Sequence, residues 1–142
     1  MVKINPIYTA EVHATGGRSG HVASSDGVLD MDVSMPKELG GKDGYTNPEQ
    51  LFAAGYAACF GGAIGAVAQG KNVKDFKIRA KATIGKTEEG AFGISASLEV
   101  YFPNLSQEEG QGVVEAAHQV CPYSVATRGN IEVTVSAVAE AF

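Results

Sequence analysis

The sequence predicts an α+β domain. Three observations predict it: an uncharged stretch from Gln50 to Gly70, a second helix opened by a capping pattern at Ser106, and strand-like runs in blocks on either side of them. The resulting order is three strands, a long helix, two strands, a helix and a strand. That order excludes a doubly wound parallel sheet, in which strands and helices alternate singly.

The first block alternates loosely over Ile7–His13, then over His21–Ser24 and Val28–Ser34, which flank the hairpin signal Asp26-Gly27. A glycine-rich loop, Met35–Thr46, leads to the long helix. Its start is well marked: Asn47 as N-cap, Pro48 at the first helical position, Gln50 three residues after the cap, and Glu49 in the first turn, where the helix dipole favours an anion. The uncharged run is about as long as the roughly 20 residues a bilayer-spanning helix needs. Its content argues against a membrane, because Gly55, Gly61, Gly62, Gly65 and many alanines supply little transfer energy. It reads instead as a helix buried on all sides in a soluble protein. Phe76–Lys86 and Phe92–Phe102, joined by Thr87-Glu88-Glu89-Gly90, form a second hairpin. Ser106 with Glu109 opens the second helix as a capping box, and Pro122 ends it near Cys121. Ile131–Val138 is the last strand.

Length and composition narrow the function. A chain of 142 residues suits one domain, residues 1–142, burying about 68% of the surface its unfolded form exposes. The net charge of −5, without a basic block, argues against nucleic acid and anionic membrane surfaces as partners. The first residues, Met1-Val2-Lys3-Ile4-Asn5-Pro6, lack the pattern of a signal peptide, so a cytoplasmic location is expected. In that compartment the only two cysteines, Cys59 and Cys121, suit redox or catalytic use better than a permanent disulfide.

Cys59 lies in the uncharged helix, where burial favours the neutral thiol. A free cysteine is only about 3% ionised at pH 7, and lowering its pKa by two units takes about 2.7 kcal/mol. Cys59 is more than two turns into its helix, beyond reach of the dipole. A cation is therefore needed, and Arg18 in Gly16-Gly17-Arg18-Ser19-Gly20 is the candidate, with Glu49 as the carboxylate placed to hold its guanidinium. Each residue alone also has a plain reading: Cys59 as small core filler, Arg18 as a solvated loop residue, Glu49 as a first-turn residue. Phe52, Tyr56 and Phe60 around Cys59 suggest an apolar pocket, whereas Tyr123 beside Pro122 suits core or pocket equally. His13, His21 and His118 show no metal-site spacing beyond His118 and Cys121, and no Gly-x-Ser-x-Gly elbow supports a serine hydrolase.

Three motifs lift the functional reading: Gly16-Gly17-Arg18-Ser19-Gly20, Thr46-Asn47-Pro48-Glu49-Gln50 continuing to Cys59-Phe60, and Cys121-Pro122-Tyr123-Ser124 followed by Arg128-Gly129-Asn130. In this order and over essentially the whole chain, they resemble the organic hydroperoxide resistance proteins of the OsmC-like superfamily. The loop Gly40-Gly41-Lys42-Asp43-Gly44-Tyr45 departs from the commoner glycine pattern. The resemblance implies an OsmC-like fold, with antiparallel strands around a long buried central helix plus a second helix, in an intertwined homodimer. It also implies a thiol peroxidase that reduces organic hydroperoxides to alcohols. In that scheme Cys59 is the peroxidatic thiol, Cys121 resolves its sulfenic acid as a disulfide, Arg18 stabilises the thiolate and Glu49 orients Arg18. Electrons come from dihydrolipoyl groups, on dihydrolipoamide or a lipoylated protein, and no metal or bound cofactor is used. Two other classes fit the same residues: a general dithiol oxidoreductase, although the usual Cys-x-x-Cys pair is absent, and a noncatalytic small-molecule binding protein of the same fold.

Overall fold

Backbone hydrogen bonding decides where the strand-like runs of the sequence become strands. The computed structural model describes residues 1–142, in two compact units, Met1–Pro48 and Glu49–Phe142.

The first unit is a three-stranded antiparallel sheet of β1 (Val12–Thr15), β2 (His21–Ser24) and β3 (Asp30–Asp32), in that order. The strand expected over Ile7–His13 is corrected: it begins only at Val12, and Ile7 and Tyr8 are exposed. The reason is a shortage of partners. β2 offers pairing from Thr15↔His21 to Val12↔Ser24, and the Ser25 amide adds one bond to the Glu11 carbonyl at 3.0 Å before the chain turns at Asp26-Gly27, which leaves residues before Glu11 no ladder. The run Val28–Ser34 likewise contracts to Asp30–Asp32, because Val28 and Leu29 belong to the turn: the Val28 amide donates to Asp26 Oδ1 at 3.0 Å and the Leu29 amide to Ser24 Oγ at 2.9 Å.

β1 and β2 are joined by a loop containing a short 3-10 turn at Gly17–Ser19. Gly16 and Gly17 have φ of 72° and 59°, left-handed values that glycine adopts without strain. A Cβ at Gly20 would stand 1.8 Å from the Thr15 carbonyl oxygen. These glycines are therefore what lets the loop close tightly, with Arg18 exposed on it.

In the second unit, α1 (Pro48–Val67) starts at the boundary as its capping pattern predicts. It is followed by β4 (Lys77–Lys86), β5 (Phe92–Tyr101), α2 (Gln107–Val120), α3 (Pro122–Thr127) and β6 (Val133–Val138). β4 and β5 pair antiparallel from Lys77↔Tyr101 to Lys86↔Phe92. β6 runs parallel to β5, departing from the expected antiparallel arrangement, because the helical crossover through α2 and α3 returns the chain to the end where β5 began. The capping box forms as read: Ser106 Oγ accepts from the Glu109 amide at 3.2 Å and Glu109 Oε2 from the Ser106 amide at 3.0 Å.

The core joins Tyr56, Phe60, Ala63 and Ile64 of α1 to Leu98 and Val100 of β5 and to Val113, Val114 and Ala117 of α2. Each large apolar side chain buried here contributes about 1.5–3 kcal/mol. By length and composition alone α1 could cross a bilayer; its packed face makes it a core helix. Within the single chain Ala54, Ala58, Gly62, Gly65 and Ala66 are exposed. This opposite face carries only methyl groups and hydrogens.

Candidate active site

The two thiols lie together. Cys121 Sγ is 3.6 Å from Cys59 Sγ, although the residues are far apart in sequence. Cys59 reaches this point from the fourth turn of α1 and is half-buried; Cys121 is wholly buried between α2 and α3. Local sequence explains the second position. The residue before a proline is pushed out of helical geometry, and Cys121 accordingly has φ −60° and ψ 123°, ending α2 while Pro122 occupies the first position of α3. The six-residue α3 was not foreseen from the sequence.

A reduced pair at 3.6 Å needs only a short approach to reach the disulfide bond length of about 2.05 Å. Burial is the largest influence on Cys59 and pushes its thiol above the ordinary cysteine value. The Tyr123 backbone N–H, which donates to the sulfur, pulls the other way, while the neighbouring Cys121 adds to the rise, first through the hydrogen bond between the two sulfurs and then through charge. These surroundings by themselves keep Cys59 a thiol, so nucleophilic use requires added positive charge.

Glu49 is 7% exposed at the start of α1 in the second unit, and Arg18 lies on the exposed loop of the first. Of the four aromatic residues expected to line a pocket, Phe52, Tyr56 and Tyr123 form one cluster, with ring centroids 5.6–6.4 Å apart. Tyr123 is 39% exposed, and its ring lies over Gly55, one turn before Cys59 on the same face of α1; a Cβ at Gly55 would come within 2.8 Å of the Tyr123 hydroxyl. Phe60 is fully buried and belongs to the core. Tyr56 is also buried, its hydroxyl 2.9 Å from Ser124 Oγ and 3.3 Å from Thr127 Oγ1.

Sequence reasoning gave no role to Ser124 or Thr127. Ser124 is wholly buried, and its Oγ is also 2.8 Å from His118 Nδ1. Burial and the nearby Arg128 cation hold the His118 pKa below its ordinary value, favouring the neutral imidazole. Arg128 also donates to the His118 carbonyl at 2.6 Å. The available signal was a serine three residues after a cysteine at a predicted helix end. The other two histidines stand apart in the first unit, His13 with Glu11 and His21 between Asp30 and Asp32. No group of three or more His, Cys, Asp or Glu side chains is arranged to hold a metal ion.

With this geometry in view, the comparisons are specific. The family model of OsmC-like proteins matches residues 40–136. Similar proteins include the organic hydroperoxide resistance protein OhrB of Bacillus subtilis, 50% identical over 89% of this chain and 95% of that protein. The organic hydroperoxide resistance protein of Xanthomonas axonopodis pv. citri is 52% identical over 92% of this chain and 94% of its own. Among solved structures, an organic hydroperoxide resistance protein from Legionella pneumophila superposes with a TM-score of 0.88 at 46% identity, covering 94% of this chain and 98% of that one.

Proposed function

For a chain that belongs to the OsmC-like family, and within it to the organic hydroperoxide resistance proteins, we propose a cysteine-based peroxidase that reduces organic hydroperoxides to alcohols. The observation that carries this reading is the reduced thiol pair, one sulfur half-exposed and the other buried 3.6 Å behind it. A half-exposed thiol can meet a substrate, and a buried one is protected until needed.

In the proposed cycle the Cys59 thiolate attacks the peroxide, taking one oxygen to become a sulfenic acid, while the alkoxide leaves and is protonated to the alcohol. Cys121 then displaces that oxygen as water and forms the disulfide. Arg18 supplies the positive charge that Cys59 needs, stabilising the thiolate and the developing alkoxide, and Glu49 orients the guanidinium. The 142 residues act as one functional domain in the cytoplasm, as a homodimer. An external dithiol, dihydrolipoamide or a lipoylated protein, reduces the disulfide, and the chemistry needs no bound metal or organic cofactor. The exposed small-residue face of α1, with Ala54, Ala58 and Gly62, suits close approach of a second subunit.

Intact mass after one equivalent of cumene hydroperoxide tests the reading. The expected result is loss of two hydrogens from the reduced protein. An unchanged mass would instead support a noncatalytic binding protein of the same fold.

Substrate preference follows from the surroundings of Cys59. Phe52 and Tyr123 present apolar surface beside it, with Tyr56 and Phe60 packed behind. Each methylene a substrate buries against such a surface contributes up to about 0.8 kcal/mol. The second-order rate constant for tert-butyl hydroperoxide should therefore exceed that for hydrogen peroxide by at least about tenfold. Equal constants would remove the apolar pocket from the account.

A further inference from the structure

A chain of buried hydroxyls ties together the three elements that carry the thiols. Tyr56 on α1 is three residues before Cys59, His118 on α2 is three before Cys121, and Ser124 and Thr127 sit on α3 just after it. Ser124 Oγ stands between Tyr56 Oη at 2.9 Å and His118 Nδ1 at 2.8 Å. The Thr127 hydroxyl donates to the Ser124 carbonyl at 3.2 Å, and its oxygen lies 3.3 Å from Tyr56 Oη. With His118 neutral and Nδ1 unprotonated, Tyr56 donates to Ser124 and Ser124 to His118. Every hydroxyl proton is then used, as burial requires. A fully satisfied buried network of this kind fixes one arrangement of the elements it joins.

We propose that Ser124 is a positioning residue whose hydroxyl, held between Tyr56 and His118, keeps α1 in register with the α2–α3 junction so that oxidised Cys59 closes onto Cys121 before a second peroxide reaches it. The inference rests on the peroxidase reading. The step it governs is Cys59–SOH with Cys121–SH giving the disulfide and water: the S–O bond breaks, the S–S bond forms, and oxygen departs with both protons. Ser124 touches neither the substrate nor the step in which oxygen is transferred to Cys59. It acts by limiting how far the two sulfurs drift from 3.6 Å.

The test measures how the sulfenic acid partitions. Reduced wild-type protein, Ser124→Ala, His118→Phe and His118→Asn are cycled with excess cumene hydroperoxide and dihydrolipoamide. Intact mass then gives the ratio of disulfide to protein that has gained two oxygens at Cys59, and stopped-flow gives the rate of the first step. Ser124→Ala and His118→Phe should move the ratio about tenfold toward overoxidation, the scale of one lost buried hydrogen bond, while the first step stays within about twofold. His118→Asn, whose amide can meet Ser124 where Nδ1 does, should stay close to wild type. An unchanged ratio, or one that shifts equally in His118→Asn, would overturn the proposal. So would a first step slowed in proportion. If Ser124→Ala does not fold, the two His118 variants decide, because that side chain is only half-buried.

Failure of the underlying reading has a different signature: wild-type protein forms neither product with the peroxide. Positioning is then decided by equilibrium with dithiothreitol. Ser124→Ala should disfavour the Cys59–Cys121 disulfide about tenfold, equivalent to about 30 mV, and an unchanged constant would reject the positioning role alone.

Discussion

Cys59→Ser is expected to abolish peroxide consumption, a loss of at least about a thousandfold, because an alcohol with a pKa far above that of a thiol supplies no nucleophile in its place. Cys121→Ser should behave differently. Its first turnover is expected to proceed at close to the wild-type rate, because the proposed cycle assigns the attack on peroxide to Cys59, the half-exposed thiol that remains. It should then stop with one oxygen added, and further peroxide should carry Cys59 to the sulfinic acid. Mass spectrometry under one and ten equivalents of cumene hydroperoxide separates these outcomes. Equal loss of the first turnover in both variants would contradict the division of roles. A disulfide that formed through either single variant would also contradict it, since the chain has no third cysteine.

The parts of this arrangement that sequence revealed are those governed by local rules. The start of α1 at Pro48, the capping box at Ser106 and the β4–β5 hairpin follow from capping, proline geometry and alternation over long runs. Short strands were less legible. Ile7–His13 alternates, yet a strand exists only where a neighbour offers hydrogen bonds, and β2 with the residue after it offers them only as far as Glu11. Which face of α1 its own chain covers was not legible, because a helix rich in alanine and glycine looks apolar on every face, whereas the sheet and α2 of its own chain cover the side that carries Tyr56, Phe60 and Ile64. The two cysteines could be singled out by rarity and by motif, but their separation of 3.6 Å is a tertiary fact. The same holds for the contact of Ser124 with Tyr56, across 68 positions of sequence. Neither periodicity nor capping bears on which buried hydroxyls meet.

Mixed dimers should recover activity that neither parent has. α1 is one uninterrupted helix from Pro48 to Val67, so Gly55 does not break it between Glu49 and Cys59. Ten residues of helix place those two about 15 Å apart along the axis and roughly 80° apart around it. A guanidinium whose contacts are each about 3 Å long cannot touch both. Under the proposed function, the arrangement that would satisfy the chemistry has Arg18 and Glu49 of one subunit meeting Cys59 and Cys121 of the other, and the small-residue face of α1 is exposed within its own chain. The dimer then becomes a requirement of catalysis. In a heterodimer of Cys59→Ser and Arg18→Ala chains, one of the two sites pairs an intact arginine with an intact thiol pair, and the other lacks both. About half of wild-type activity per dimer is expected, against losses of about a hundredfold or more in each parent, the scale of removing a charged transition-state donor. Subunit exchange of differently tagged chains, with the heterodimer purified and assayed on cumene hydroperoxide, measures this. Inactive heterodimers, alongside wild-type chains that regain full activity through the same exchange, would show that each chain builds its own site and that Arg18 does not serve Cys59 across the interface.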